Sequence, residues 1–239
     1  MAEYWRRAVL MVAVLAPVIG QAAGVACPIT PIQPMRLPVM QAALAAHRPI
    51  IIAALGSSST AGAMARDPAE SYPAELQNDL GRALPDAEIS VINRGINGED
   101  ARREDQRMAS DVLALHPQLI IWQVGANAAA RGENVPEFAH LVRIGLRRLR
   151  GGGADIILMD NQRSDILEAQ PADQRINGAL AALAREFRVN LFSRDALMRH
   201  WPQPHRFLAP DHLHLNDRGY RCTAQALGAA IKAGVGGEG

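Results

Sequence analysis

Hydrophobic and polar positions follow two alternating patterns along most of the chain. Short runs that are apolar nearly throughout predict five β-strands, at 49–55, 88–93, 118–124, 155–160 and 189–193. Such runs are typical of strands that are covered on both faces. Longer stretches with apolar residues at helical spacing predict α-helices, at 72–84, 100–115, 136–150, 172–187 and 217–233. The alternation predicts an α/β fold, in which a five-stranded parallel sheet carries helices on both faces.

The beginning of the chain has a different pattern. Arg6 and Arg7 precede an apolar run at 8–19, and small residues follow it. This order is typical of a secretory signal peptide, and the run is too short to span a bilayer comfortably. We therefore expect residues 1–26 to be a signal peptide and the protein to be periplasmic or secreted; a retained anchor or a buried helix is the alternative. The candidate cleavage points follow Ala22, Gly24 and Ala26.

The next segment is rich in proline. Residues 27–38 are expected to form an extended linker, because proline disfavours a helix, and the domain is expected to span 39–239. Cys27 and Cys222 are the two cysteines, and export would place them where a disulfide can form. Whether they pair stays open at this point. A lipid anchor on Cys27 is a further alternative, although Gly24 stands where a large aliphatic residue is expected.

Composition narrows the range of functions. The chain has 239 residues, of which 49% are hydrophobic and 21% charged, as expected for a globular domain of ordinary size. Its formal net charge of +1 gives no argument for a nucleic-acid partner, which favours a strongly basic face. The sequence has no Cys-x-x-Cys pair that would suggest a structural metal.

Polar and glycine residues follow the predicted strands. In parallel α/β sheets the functional crevice lies at the carboxyl ends of the strands. The segments that reach this edge supply hydroxyls, glycine amides, a carboxamide and a carboxylate–imidazole pair, and an acyl-transfer enzyme needs these groups. They are 56–60, 93–100, 125–128, 161–165 and 211–217.

These segments resemble the four blocks of the SGNH (GDSL) hydrolase superfamily. Its members are esterases, lipases, deacetylases and related acyl-transfer enzymes on a flavodoxin-like, three-layer α/β/α fold. The resemblance covers about 50–230. The blocks match, in chain order, "GSS" at 56–58, Gly98 in "NRGINGED", "GANA" at 125–128 and "DHLH" at 211–214.

The resemblance implies a role for each matched residue. Ser58 would be the nucleophile, which needs a base because a hydroxyl is a weak nucleophile by itself. His214 would be that base, and Asp211, three residues earlier, would orient the imidazole. The amides of Ser58 and Gly98 and the side chain of Asn127 would hold the oxyanion. No cofactor and no metal are required.

Departures from the family pattern and rival residues remain. Ser57 and Ala128 stand where the family usually has aspartates, which predicts a loss of hydrogen bonds that brace these loops. Ser57 and Ser59 are rival nucleophiles, and Gly95 is a rival oxyanion amide. Asn127 alone would also suit a helix cap.

Two further stretches have alternative interpretations. His212 and His214 form an HxH pair that can ligate zinc. His200, Trp201 and His205 precede the last block and are expected to flank the cleft.

We therefore expect a serine hydrolase that cleaves carboxylic esters of short acyl groups, such as O-acetyl groups on carbohydrate, through an acyl-enzyme. One alternative is a carbohydrate O-acyltransferase that uses the same site. Another is a non-catalytic flavodoxin-like module that binds phosphate or flavin on the "GSSSTAG" turn. The expected partner is a small-molecule or carbohydrate ester, with no nucleic acid and no integral membrane segment after removal of the signal.

Overall fold

A computed structural model describes residues 26–28 and 30–236. Its centre is a five-stranded parallel sheet in the order β2-β1-β3-β4-β5. The strands are β1 Ile50–Gly56, β2 Ile89–Gly95, β3 Leu119–Gln123, β4 Asp155–Met159 and β5 Asn190–Phe192. The predicted strands agree with these to within two residues at each end. The prediction of a five-stranded parallel sheet is confirmed.

The helices form a layer on each side of the sheet. They are α1 Pro38–Ala45, α2 Ser58–Ala61, α3 Tyr72–Ala83, α4 Ala101–Asp111, α5 Ala126–Ala130, α6 Val135–Arg150, α7 Asp165–Glu168, α8 Asp173–Phe187, α9 Arg194–Arg199 and α10 Asp217–Gly236. Alternate residues of β1 face opposite layers: Ile52 packs with α1, α3, α9 and α10, whereas Ala53 packs with α4 to α8. The result is the three-layer α/β/α sandwich expected from the sequence.

The shorter helices were not predicted. α2, α5, α7 and α9 have four to six residues each. A helix of fewer than two turns is too short to show a periodic apolar pattern, so hydrophobic periodicity does not detect it.

The proline-rich segment before α1 has no helix or strand between Pro31 and Leu37, and it lies against the edge strand β5. Gln33 exchanges two hydrogen bonds with the backbone of Ser193, at 2.9 and 2.8 Å. Asn190 likewise accepts from Arg36 N at 2.7 Å and donates to Arg36 O at 3.0 Å. The segment therefore covers an edge that would otherwise expose unpaired backbone groups.

Cys27 and Cys222 form a disulfide, which fastens the beginning of the described chain to α10. Of the predicted signal peptide, residues 1–26, all but Ala26 lie outside the described residues. In the part of the chain that the structure describes, no helix is both long enough and apolar enough to cross a membrane.

Candidate active site

Ser58 lies at a sharp turn between β1 and α2. The strand ends at Gly56, and Ser58 is the first residue of the helix. A Cβ atom on Gly56 would lie 2.3 Å from Thr60 Oγ1 and 2.9 Å from Gln123 O, so only glycine fits at this close approach. The turn therefore holds the Ser58 hydroxyl at the carboxyl edge of the sheet.

Ser58 and two side chains of the 211–214 turn, which is distant in sequence, form a chain of hydrogen bonds at this edge. Ser58 Oγ lies 2.8 Å from His214 Nε2, and His214 Nδ1 lies 2.6 Å from Asp211 Oδ2. The other carboxylate oxygen of Asp211 accepts hydrogen bonds from the backbone N–H groups of Leu213 and His214, at 3.1 and 3.0 Å. The turn itself therefore orients the carboxylate toward the imidazole.

The electrostatic state of Asp211 follows from these contacts. Burial raises the pKa of the carboxyl, but the hydrogen bonds from His214 and Leu213 outweigh burial and place the pKa below its usual value. Asp211 is therefore ionised at neutral pH and able to stabilise a protonated imidazole.

Gly98 lies in the loop that follows β2, and Asn127 is the second residue of α5, which follows β3; the two strands flank β1. Asn127 Nδ2 donates a hydrogen bond to Glu99 O at 2.7 Å, which joins α5 to the Gly98 loop. Gly98 has a φ of +78°, and a Cβ atom there would meet nothing within 4 Å. Among the described residues, no acceptor takes the Gly98 N–H. The two segments that carry these predicted oxyanion donors are thus in direct contact.

The two serines beside Ser58 have other partners. Ser57 is buried, and its N–H and its hydroxyl both donate to Gln123 Oε1, at 3.2 Å each. Ser59 is also buried, and its hydroxyl donates to Gln162 Oε1 at 3.4 Å. Of the three hydroxyls, the one that reaches an imidazole is that of Ser58.

Gly95, the alternative oxyanion donor, lies in close contact with the backbone of α2. Gly95 N donates to Asn93 Oδ1 at 2.9 Å, so this N–H is already engaged. A Cβ atom on Gly95 would lie 2.1 Å from Ala61 N. Gly95 therefore permits α2 to pack closely against β2.

The sequence profile of the Non-GDSL lipase-like family matches residues 26–237. The chain belongs to this family. No curated protein sequence matches the chain.

Solved structures of esterases share the fold of this lipase-like protein. A two-domain esterase (CEX) active on acetylated mannans has 20% sequence identity and a TM-score of 0.71, over 87% of this chain and 57% of that chain. The lipase/acylhydrolase from Enterococcus faecalis has 22% identity and a TM-score of 0.65, over 77% and 95%. A catalytic mutant of Axe2, an acetylxylan esterase from Geobacillus stearothermophilus, has 18% identity and a TM-score of 0.63, over 79% and 95%.

The family match confirms the expected resemblance to lipase-like hydrolases, and the solved structures confirm the expected fold. This chain spans just over half the length of the two-domain esterase.

In this lipase-like protein, the loop that carries Gly98 is braced by residues that the sequence did not single out. Arg131 donates to Gly98 O at 3.0 Å and contacts the Asp100 carboxylate at 3.2 Å. Arg107 donates to Glu99 at 2.7 Å and to Gly56 O at 3.2 Å. The loss of bracing expected from Ala128 is therefore offset by Arg107 in α4 and by Arg131, the residue after α5. Nothing in the sequence marked these arginines among the many on polar helix faces.

Gln162 is another residue whose role the sequence did not indicate. It lies in the 161–165 segment that follows β4, and it is buried. Besides accepting from Ser59, it donates to Leu213 O at 2.9 Å. Gln162 therefore connects the helix that begins at Ser58 with the turn that holds His214.

Two of the alternative interpretations can be compared with the structure. The two histidines of the HxH pair contact different carboxylates: His212 Nδ1 lies 2.8 Å from Asp165 Oδ2, whereas His214 Nδ1 contacts Asp211. No group of three or more potential metal ligands occurs in residues 26–28 and 30–236. The expectation that Trp201 flanks the cleft is wrong: its ring is buried in the core and packs on Phe207, with centroids 4.4 Å apart.

Proposed function

We propose that this protein is a serine hydrolase that cleaves carboxylic esters through an acyl-enzyme. The observation that carries the proposal is the continuous chain of contacts from Ser58 Oγ through His214 to the Asp211 carboxylate. An imidazole held between a hydroxyl and a carboxylate is the arrangement that activates a serine nucleophile.

The first half of the reaction acylates Ser58. His214 donates its Nδ1 proton in a hydrogen bond to Asp211, and its Nε2 lone pair accepts the Ser58 proton as Oγ attacks the ester carbonyl carbon. The tetrahedral intermediate collapses when the carbon–alkoxide bond breaks. The proton on His214 Nε2 then passes to the leaving alkoxide, so the alcohol departs neutral and Ser58 carries the acyl group.

The second half repeats these steps with water. His214 takes a proton from water, the hydroxide attacks the acyl carbonyl, and the proton returns to Ser58 Oγ as the acid leaves. In both halves, the negative charge that develops on the carbonyl oxygen is stabilised by the N–H groups of Ser58 and Gly98 and by the Asn127 amide. Each donor of this kind contributes about 10²–10³ to the rate.

The proposed substrate is an ester of a short acyl group on a carbohydrate. The side chains of His214 and Asp211 are 16% and 32% exposed, so a substrate can reach them from solvent. Exposed apolar side chains of Met64 and Ile96, which follow α2 and β2 at the same edge, offer small contacts to an acyl group. Two of the similar structures belong to an esterase active on acetylated mannans and to an acetylxylan esterase.

Hydrolysis of p-nitrophenyl acetate tests the mechanism. The protein is residues 27–239 with the disulfide formed, and the variants are Ser58→Ala, Ser57→Ala and Ser59→Ala, prepared identically. We expect kcat to fall about 10⁴-fold or more in Ser58→Ala, as for other nucleophile deletions, and less than tenfold in the two neighbours. Equal rates in Ser58→Ala and the parent would contradict the proposal.

Export belongs to the same proposal. Residues 1–26 have the order of a signal peptide, and the Cys27–Cys222 disulfide fits an oxidising compartment. The disulfide also occupies the sulfur that a lipid anchor on Cys27 would need. Fractionation of a strain that expresses the full chain should recover a protein that begins near Cys27 outside the cytoplasm; an intact N-terminus in the cytoplasm would contradict export.

A further inference from the structure

A second carboxylate–imidazole pair stands beside the proposed triad. His212 Nδ1 lies 2.8 Å from Asp165 Oδ2, although 47 residues separate the two. Asp165 is the first residue of α7, which follows β4, and Ile166 N also donates to His212 O at 3.4 Å. Among the described residues, no protein group bonds His212 Nε2, so this nitrogen is available to a ligand.

Stability does not explain why a histidine occupies this position. His212 has a φ of +56°, in the left-handed region where a side chain costs free energy and glycine is favoured. The pair with Asp165 offers little in return, because its side chains are 63% and 62% exposed, and exposed ion pairs contribute little. Strained residues of this kind cluster at functional sites.

The chemistry of the proposed reaction determines which half of the ester lies near this pair. His214 must pass its proton to the leaving oxygen, so the alcohol half lies on the His214 side of Ser58. Of the proposed oxyanion donors, Gly98 follows β2, on the far side of β1, and Asn127 follows β3, which lies between β1 and β4. The His214 turn instead contacts the loop after β4, through Gln162 and Leu213. Asp165 and His212 belong to that loop and that turn.

We propose that His212, oriented by Asp165, forms a binding subsite for the polyhydroxylated alcohol half of the ester. Asp165 fixes the ring through Nδ1, and Nε2 hydrogen-bonds a sugar hydroxyl next to the acylated one. The inference rests on the proposed ester hydrolysis. It adds a recognition element for a carbohydrate leaving group, whereas an aryl ester without hydroxyls makes no such contact.

Two acetyl esters with different alcohols test the subsite. Kinetics are measured on an acetylated xylo-oligosaccharide and on p-nitrophenyl acetate, with the parent, His212→Gly, His212→Asn and Asp165→Asn. Glycine and asparagine both tolerate the positive φ, so the turn is preserved. In His212→Gly we expect KM for the oligosaccharide to rise about tenfold, with kcat within threefold of the parent value. The factor by which KM for p-nitrophenyl acetate rises should be at least three times smaller. His212→Asn, which keeps a hydrogen-bonding group, should recover part of the loss.

His116→Gly is the matched control. His116 is also an exposed histidine with positive φ, of +49°, but it precedes β3 at the opposite edge of the sheet. Its replacement should change neither KM. A His212→Gly variant that loses kcat on both substrates to the same extent would show that the pair only holds the His214 turn, and this would overturn the subsite.

The two proposals fail in different ways. Full activity of Ser58→Ala on both esters would remove the hydrolase mechanism itself. Loss of activity in Ser58→Ala together with an unaltered oligosaccharide KM in His212→Gly would leave the hydrolase and remove the subsite. Thermal unfolding of every variant separates these outcomes from misfolding.

Discussion

Ser57, Ser58 and Ser59 carry the same functional group, yet each lies in a different environment. Successive residues at the start of a helix point about 100° apart, because 3.6 residues complete a turn. Ser57 therefore points to Gln123 in the sheet, Ser59 to Gln162, and Ser58 to His214. The partners, rather than the hydroxyl itself, make Ser58 the candidate nucleophile.

Arg131 gives a prediction at the residue scale. Its guanidinium holds Gly98 O from the outside of the loop, so Arg131→Met should loosen the loop without removing a donor to the oxyanion. We expect kcat on p-nitrophenyl acetate to fall about tenfold. This decrease is smaller than the decrease of about 10²–10³-fold that follows the loss of an oxyanion donor itself. KM and the thermal midpoint should change little.

Arg102→Met is the control for this effect. Arg102 also lies on the exposed surface and pairs with Glu137, but it does not contact the Gly98 loop. It should keep the parent kcat. Equal losses in both variants would show that general surface charge, and not the contact with Gly98 O, controls the rate.

At the scale of elements, contact with the sheet decides what a helix position tolerates. Gly145 in α6 faces the indole of Trp122, and a Cβ atom there would lie 2.5 Å from Trp122 Cη2. The indole cannot move away easily, because it is buried and its Nε1 donates to Glu104 at 2.7 Å. Gly178 in α8 is exposed, and a Cβ atom would meet nothing within 4 Å.

The same substitution should therefore have opposite effects at these two positions. Gly145→Ala should lower the free energy of unfolding by about 1–3 kcal/mol through overpacking. Gly178→Ala should raise it by about 0.5–1 kcal/mol, because alanine favours a helix interior over glycine. Urea unfolding of the two variants and the parent measures both changes, and a shift of the same sign in both would contradict this packing account.

The elements also show where sequence patterns succeed. The five strands and the long helices were predicted because each is long enough to show a run or a period of apolar residues. The segment from Pro31 to Leu37 lies within the predicted linker, 27–38. Its fastening to β5 through Gln33 and Asn190 depends on tertiary contacts that no local pattern records.

At the scale of the whole molecule, the disulfide is the longest covalent constraint. Cys27 and Cys222 are separated by 195 residues, so the bond closes nearly the whole described chain into a loop. Cross-linking restricts the unfolded chain, and long loops gain most from this effect. Cys222 belongs to α10 and is buried in the core. The bond therefore also holds the N-terminal segment in place.

Removal of this bond should destabilise the protein globally. The double variant Cys27→Ser/Cys222→Ser should lose about 2–5 kcal/mol of unfolding free energy. Urea unfolding with and without dithiothreitol measures this loss: the reductant should lower the midpoint of the parent and leave that of the double variant unaltered. If the parent kept the same midpoint in dithiothreitol, although thiol titration showed that both cysteines were reduced, this would contradict a stabilising role of the disulfide.

The sequence by itself determined the strands, the long helices and the edge at which Ser58, Gly98, Asn127 and the 211–214 turn would meet. This follows because apolar periodicity is local and because parallel strands all end at one edge. Only the tertiary structure decided which serine meets an imidazole, that the two cysteines pair, and that Asp165 reaches His212. Those contacts join residues 47 to 195 positions apart, and their distances are set by loop geometry that a one-dimensional pattern does not contain.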